Sequence, residues 1–279
     1  MPFWEMISTL IHEVFNMPVW YLFTWFYARI VNFNLVALSA LSVFTTCVGI
    51  VFLFLCGCKL HGKIFGAIAA TICAISIFFY GNNLLSQIRP YGFVFMFSTM
   101  VLYFYLANKK KLFFTFLTIL CLTHWCSAFM ALFYAILSTK NIKNLSMYFI
   151  PFVPMFIWAI ICLSFGHVTK YWTEPQWIYE FSPTLSSIFG FEITGGAFGY
   201  FIVAIYFALF ISGAIFARGK MKIVSFAVLF YYFSVLLVSV IGPICLYWVR
   251  YFTLLLPHFY LVIAFGFYKG VLYASRIRS

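Results

Sequence analysis

From residue 36 to residue 268 the chain passes through one apolar stretch after another, with its lysines confined mostly to the short connectors between them. Stretches this continuous have no polar face to turn to water, so they must be buried in protein or in lipid. Of 279 residues, 66% are hydrophobic and 8% charged, and the mean hydropathy is +1.07. A water-soluble domain of this length would expose a vast apolar surface. The expected fold is therefore all-α, a polytopic membrane helical bundle forming a single membrane domain over residues 1–279. The 39 Phe and 19 Tyr suit lipid-facing and interfacial positions, where a ring is either wholly apolar or carries one polar tip.

A hydrocarbon layer about 30 Å thick takes about 20 helical residues to cross, somewhat fewer where the bilayer adapts. On that scale nine spans are expected at 36–55, 64–79, 91–107, 112–122, 125–138, 147–165, 199–216, 224–241 and 251–268. Leu112 to Leu137 could form one long helix, but Thr123 and His124 interrupt it, which favours two short helices meeting at a tip.

Charge decides between these readings. With nine spans and the N-terminus outside, the cytoplasmic side holds Lys59, Lys63, Lys109, Lys110, Lys111, Lys140, Lys143, Arg218, Lys220, Lys222, Lys269, Arg276 and Arg278, 13 of the 17 basic residues. Arg29, Arg89, Lys170 and Arg250 fall outside with all five acids, Glu5, Glu13, Glu174, Glu180 and Glu192. Merging 112–138 would put Lys140 and Lys143 on the other side from the 218–222 cluster and spoil the separation. Residues 17–31, a short apolar stretch with Arg29 near its end, read as an amphipathic juxtamembrane helix on the outer surface, with Pro18 in its first turn. The domain then divides into outer juxtamembrane helices (1–35), a six-span region (36–165), an outer loop (166–197) and three C-terminal spans (198–279). For that loop two readings are open: a cap whose Trp172, Trp177 and Tyr179 sit in the aromatic belt, or a lid that contacts substrate.

The net charge of +12 would point to nucleic acid in a soluble protein. Here it is an orientation signal, and no nucleic-acid partner is expected. Most of the eight Cys, including Cys47, Cys73, Cys121 and Cys162, lie within apolar stretches as small hydrophobes. Cys56 and Cys58 form a CxC pair that lacks the two further ligands of a structural zinc site. The N-terminus has no basic flank before its first apolar run, so no cleavable signal is expected.

An ionisable residue at a span boundary is a functional candidate because polar groups near lipid are costly. Arg89, followed by Pro90 and Tyr91, begins a span on the outer face. A guanidinium there could hold a phosphate bidentately near a helix N-terminus, or it could reach lipid headgroups or an outer glutamate. His124 and Trp125 occupy the tip of the short hairpin, also outside, where an imidazole can bind a sugar hydroxyl or a phosphate. Arg250 and Tyr251 begin the last span. Two arginines at outer helix starts suggest a shared anionic ligand, although arginine is also common at interfaces. The chain has no Asp, and no Walker loop, HExxH or GxSxG, so nucleotide hydrolysis, zinc proteolysis and serine hydrolysis lack their required groups. The acid/base groups of the outer face are the five Glu with His12, His124 and His167.

Several segments resemble integral-membrane glycosyltransferases of the GT-C superfamily, the polyprenyl-phosphate-sugar type related to protein O-mannosyltransferases and RgtA/B/C/D-like enzymes. They are NMPVWYLFTWFYARIVN, HGKIFGAIAATICAISIFF, SQIRPYGF, KKKLFFTFLTILCLTHWCSAF and WVRYFTLLLPHFYLVIAFG. No one of them is specific, but the five follow in the family's order. The resemblance implies a multi-span enzyme that moves a sugar from a polyprenyl-phosphate carrier to an envelope polysaccharide, glycolipid or protein acceptor on the outer face of a bacterial inner membrane, with a cytoplasmic C-terminus. Arg89, with Gln87 and Tyr91 beside it, and Arg250 with Tyr251 would then hold the carrier phosphate. His124 and Trp125 would line the donor cavity.

The departures from the family are specific. Members begin with one more span, followed by an outer loop with an acidic motif that supplies the catalytic carboxylate. Here that first span is expected to be absent, His-Pro-Pro reads Asn16-Met17-Pro18, and the acid before the arginine is Gln87. A divalent metal cofactor would lack its expected acidic ligands. Glu5 or Glu13 could substitute as general base, or be solvated charges on an outer helix. The chain is then either truncated or a scaffold that has lost its usual catalysis. Two alternatives stay open: a polysaccharide polymerase of the EpsG or Wzy type, which also shows an IR motif and a following histidine, and a non-catalytic partner subunit of other membrane proteins.

Overall fold

The computed structural model describes residues 2–12, 17–79, 88–137, 147–165, 197–241 and 249–277. Every regular element among them is helical: α1 (Phe3–His12), α2 (Pro18–Ile30), α3 (Leu35–His61), α4 (Lys63–Phe79), α5 (Tyr91–Leu106), α6 (Lys110–Thr123), α7 (Ser127–Leu137), α8 (Phe152–Phe165), α9 (Ala197–Phe216), α10 (Lys220–Ile241), a 3-10 helix (Val249–Leu254) and α11 (Leu256–Ile277). Each of the nine apolar stretches carries helix, because a run without polar side chains can satisfy its backbone only internally. Among the described residues three segments are long and apolar enough to cross a membrane: α3, Met147–Phe165 and α10. By contrast α5, α6 and α7 have 16, 14 and 11 residues. At about 1.5 Å per residue they fall short of a hydrocarbon layer about 30 Å thick.

The turns follow from local chemistry. Asn32 and Asn108 take left-handed conformations, with φ of 50° and 56°. Each lets the next amide reach back into the preceding helix, Phe33 N to Ala28 O at 2.7 Å and Lys109 N to Phe104 O at 2.9 Å, the pattern that closes a helix C-terminus. The side chain of Asn34 then caps α3, accepting from Val36 N and Ala37 N at 2.9 and 3.1 Å. Gly62, with φ of 92°, is all that separates α3 from α4. The expected break near residue 124 is present: α6 ends at Thr123 and α7 begins at Ser127. The last apolar stretch starts differently from the expectation, as a 3-10 helix rather than an α-helix. Pro257 has no N–H to offer the fourth carbonyl before it, so α-helical bonding cannot run through this point. Leu254 O, the third carbonyl before Pro257 and the one that 3-10 bonding would pair with it, accepts from the hydroxyl of Ser98 at 2.7 Å.

Packing is tightest where small residues meet. Gly92 lies against Ser42, Thr45 and Thr46 of α3, and Gly49 against Phe95 and Met96 of α5. The two helices therefore run parallel, with α4 returning between them in the chain. At the other end of α5 the ammonium of Lys220 donates to Leu106 O at 2.9 Å, and His61 stacks on Phe265 of α11 with ring centroids 4.7 Å apart. Those contacts gather the turns at 62, 107–109 and 217–219 at one end of the bundle. Lys59, Lys63, Lys109, Lys110, Lys111, Arg218, Lys220, Lys222 and Lys269 lie at or beside that end. The residues of α5 from Tyr91 to Thr99 are all buried, which makes it the central helix. The N-terminal α2 packs on α3 and α6, burying Trp20 and Ala28 and exposing Phe23, Phe26 and Ile30.

Candidate functional site

The α6–α7 tip builds the site. His124 leaves helical geometry at φ −154° and ψ 124°. The chain turns at once, with Ser127 N donating to His124 O and Ala128 N to Trp125 O, both at 3.0 Å. Within this turn Cys126 N donates to His124 Nδ1 at 3.3 Å. A neutral imidazole that accepts at Nδ1 carries its proton on Nε2, so the ring is set to donate from its far edge.

Around that ring the fold assembles residues that are distant in sequence. Tyr91, in the first turn of α5, has its ring centroid 6.3 Å from that of His124. Tyr251, in the 3-10 helix, lies 5.5 Å from His124 and 6.2 Å from Trp125. Tyr91, His124 and Tyr251 are buried and Trp125 is half-buried. Four of the expected binding residues thus form one aromatic cluster at the end of the bundle away from the lysines. Arg89 is exposed just before α5, whose N-terminal dipole favours an anion. Arg250 directly precedes Tyr251 in the 3-10 helix. Chemically, the cluster offers ring faces, an imidazole donor and a nearby cation, a set suited to a ligand with hydroxyls and an anionic group.

The remaining candidates are placed otherwise. Glu5 is exposed in the first turn of α1, and α1 packs on α8, whereas the cluster is built from α5, the α6–α7 tip and the 3-10 helix. Glu13 and Gln87 lie outside the described residues, as does the loop 166–196. Among the described residues no three of His, Cys, Asp and Glu converge as metal ligands.

Two features were missed in the sequence. The hydroxyl of Tyr231 on α10 donates to Tyr251 O at 2.6 Å, holding the 3-10 helix in place from below. His258 is 1% exposed. Its Nε2 is 3.4 Å from the Tyr134 hydroxyl, and its Nδ1 has no hydrogen-bond partner among the described residues. An ionisable residue within LLLPHFYLV is itself a signal that could have flagged His258. Nothing in the sequence distinguishes Tyr231 from the other tyrosines.

Comparison with protein-family models, with curated proteins and with solved structures finds no match to this chain.

Proposed function

We propose that the protein is a polytopic membrane protein of nine spans, with α2 on the outer surface, and that it transfers a sugar from a polyprenyl-phosphate-linked donor in the manner of GT-C glycosyltransferases. The observation that carries this reading is the convergence of Tyr91, His124, Trp125 and Tyr251 beside Arg89. Gathering of the connector lysines at the opposite end supports a cytoplasmic side there and an extracytoplasmic site. In this reading Arg89, with Arg250, holds the carrier phosphate by charge-assisted hydrogen bonds. The Nε2–H of His124 donates to the sugar or its phosphate, and the rings of Tyr91, Trp125 and Tyr251 exclude water around it. Glu13 would take the proton of the acceptor hydroxyl as its oxygen bonds the anomeric carbon and the polyprenyl phosphate leaves, since Glu5 lies on a helix that packs on α8. Membrane vesicles supplied with radiolabelled polyprenyl-phosphate sugar test this. Arg89→Ala should lower transfer about 10- to 100-fold, the loss of a hydrogen bond to a charged group, with the protein still inserted. Full activity in that variant overturns the phosphate role.

A second reading, a non-catalytic partner subunit, draws on Glu5. Its helix packs on α8, whereas the cluster is built from α5, the α6–α7 tip and the 3-10 helix. Wild-type vesicles that transfer no sugar, together with co-purification of another membrane protein, would favour it. Extension by many sugars rather than one would point instead to a polymerase.

A further inference from the structure

Away from the aromatic cluster, α11 packs against both α4 and α9 and floors a groove of about 580 Å³ between them. Its walls are Ile64, Ile68 and Ile72 of α4, Ile205 and Leu209 of α9, and Phe267 of α11. From Ile64 to Ile72 it follows α4 for two turns, about 12 Å at ~1.5 Å per residue. Tyr206 also lines it, but its hydroxyl is 2.9 Å from Ser76 Oγ and so already has a protein partner. The volume lies in the range of small-molecule sites, about 300 to 1,000 Å³, and the lining suits hydrocarbon.

The groove's lower end decides what kind of hydrocarbon. Ile64 follows Lys63 directly, and Phe267 is two residues before Lys269. Lys269 also lines a second hollow of about 300 Å³ farther along α9 and α11, with Ser212, Phe216 and Tyr273. Lys59, Lys109, Lys110, Lys111, Lys220 and Lys222 crowd the same end of the bundle, and neither their connectors nor α4, α9 and α11 contain an acidic residue. An apolar channel that ends in uncompensated positive charge complements a molecule with an acyl chain and a negatively charged head.

We propose that this groove binds one acyl chain of an anionic phospholipid, with its phosphate at the lysine-rich mouth beside Lys63 and Lys269. The proposal rests on the chain lying in a bilayer and not on sugar transfer, whose cluster is at the other end.

Native mass spectrometry of the full chain in detergent, with phosphatidylglycerol or phosphatidylcholine added at equal concentration, tests it. The wild type should retain one phosphatidylglycerol per chain, at least about fivefold more strongly than phosphatidylcholine, the preference expected from one basic residue near a phosphate. Lys63→Glu with Lys269→Glu should erase the preference while some retention of both lipids persists. Ala67→Trp, which fills the groove from its exposed wall, should abolish retention of both. If that variant fails to fold, Ile205→Trp does the same from the opposite wall. Arg89→Ala should keep full phosphatidylglycerol retention whatever it does to sugar transfer, so the two readings fail separately. Equal retention of the two lipids by the wild type, unchanged retention in the groove-filled variant, or a dimer mass in place of bound lipid would overturn the assignment.

Discussion

The Tyr231 hydroxyl and the Tyr251 carbonyl meet at 2.6 Å with both residues buried, so Tyr231→Phe leaves the carbonyl without its donor and changes the packing little. A buried acceptor stranded in this way costs about 1–3 kcal/mol. The expected result is a lower midpoint of thermal unfolding in detergent and, under the proposed function, weaker binding of the sugar donor because Tyr251 is no longer held against His124. An unchanged midpoint would mean that the bond is not made. His124 was legible as a candidate because a polar pair inside an apolar run has few structural explanations. Tyr231 was not legible, since a tyrosine within an apolar stretch reads equally as lipid-facing, interfacial or buried until its partner is known.

Helix elements here are joined by close crossings as much as by side-chain volume. A Cβ on Gly213 of α9 would overlap the carbonyl of Val262 in α11, and one on Gly266 would overlap the carbonyl of Leu209. Backbone cannot swing aside as a flexible side chain can, so Gly213→Ala must push the two helices apart. Overpacking of this kind costs about 1–3 kcal/mol. The variant should unfold at a lower temperature than the wild type, whereas Gly270→Ala, where nothing lies within 4 Å, should be close to neutral. Most helix ends were readable to within a few residues, because apolar run length and turn residues such as Gly62 and Asn108 act locally, but α3 and α11 run on to His61 and Ile277, past the apolar stretches expected to end at 55 and 268. Which glycines lie at crossings was not readable, because that depends on the helix opposite.

On the scale of the whole molecule, the lysine-bearing turns at 62, 107–109 and 217–219 meet at one end, and Arg89 sits at the other. Single cysteines placed at 110, 220 and 89 and labelled in intact cells with an impermeant maleimide should separate accordingly. Positions 110 and 220 should react only after the membrane is opened, and 89 should react from outside. Labelling of 89 and 110 from the same side would overturn the nine-span topology. Cys47, which is exposed, and Cys58, which is half-buried, are replaced by Ser first, whereas Cys56, Cys73, Cys121, Cys126 and Cys162 are buried.

Hydrophobic run length and the placement of charge are properties of the chain read along its length. The helical class, the helix at each apolar stretch and the break at His124 were therefore decided before any helix met another. Lipid asks only that each segment be apolar and satisfy its own backbone. It does not dictate which helices touch or how they cross, since little hydrophobic force acts between helices already in hydrocarbon. Close packing of small residues, and the carbonyls left over at Pro257, settled those questions. They brought Tyr91, His124, Trp125 and Tyr251 to one place, built Glu5 onto a different helix pair, and opened an apolar groove above the lysines.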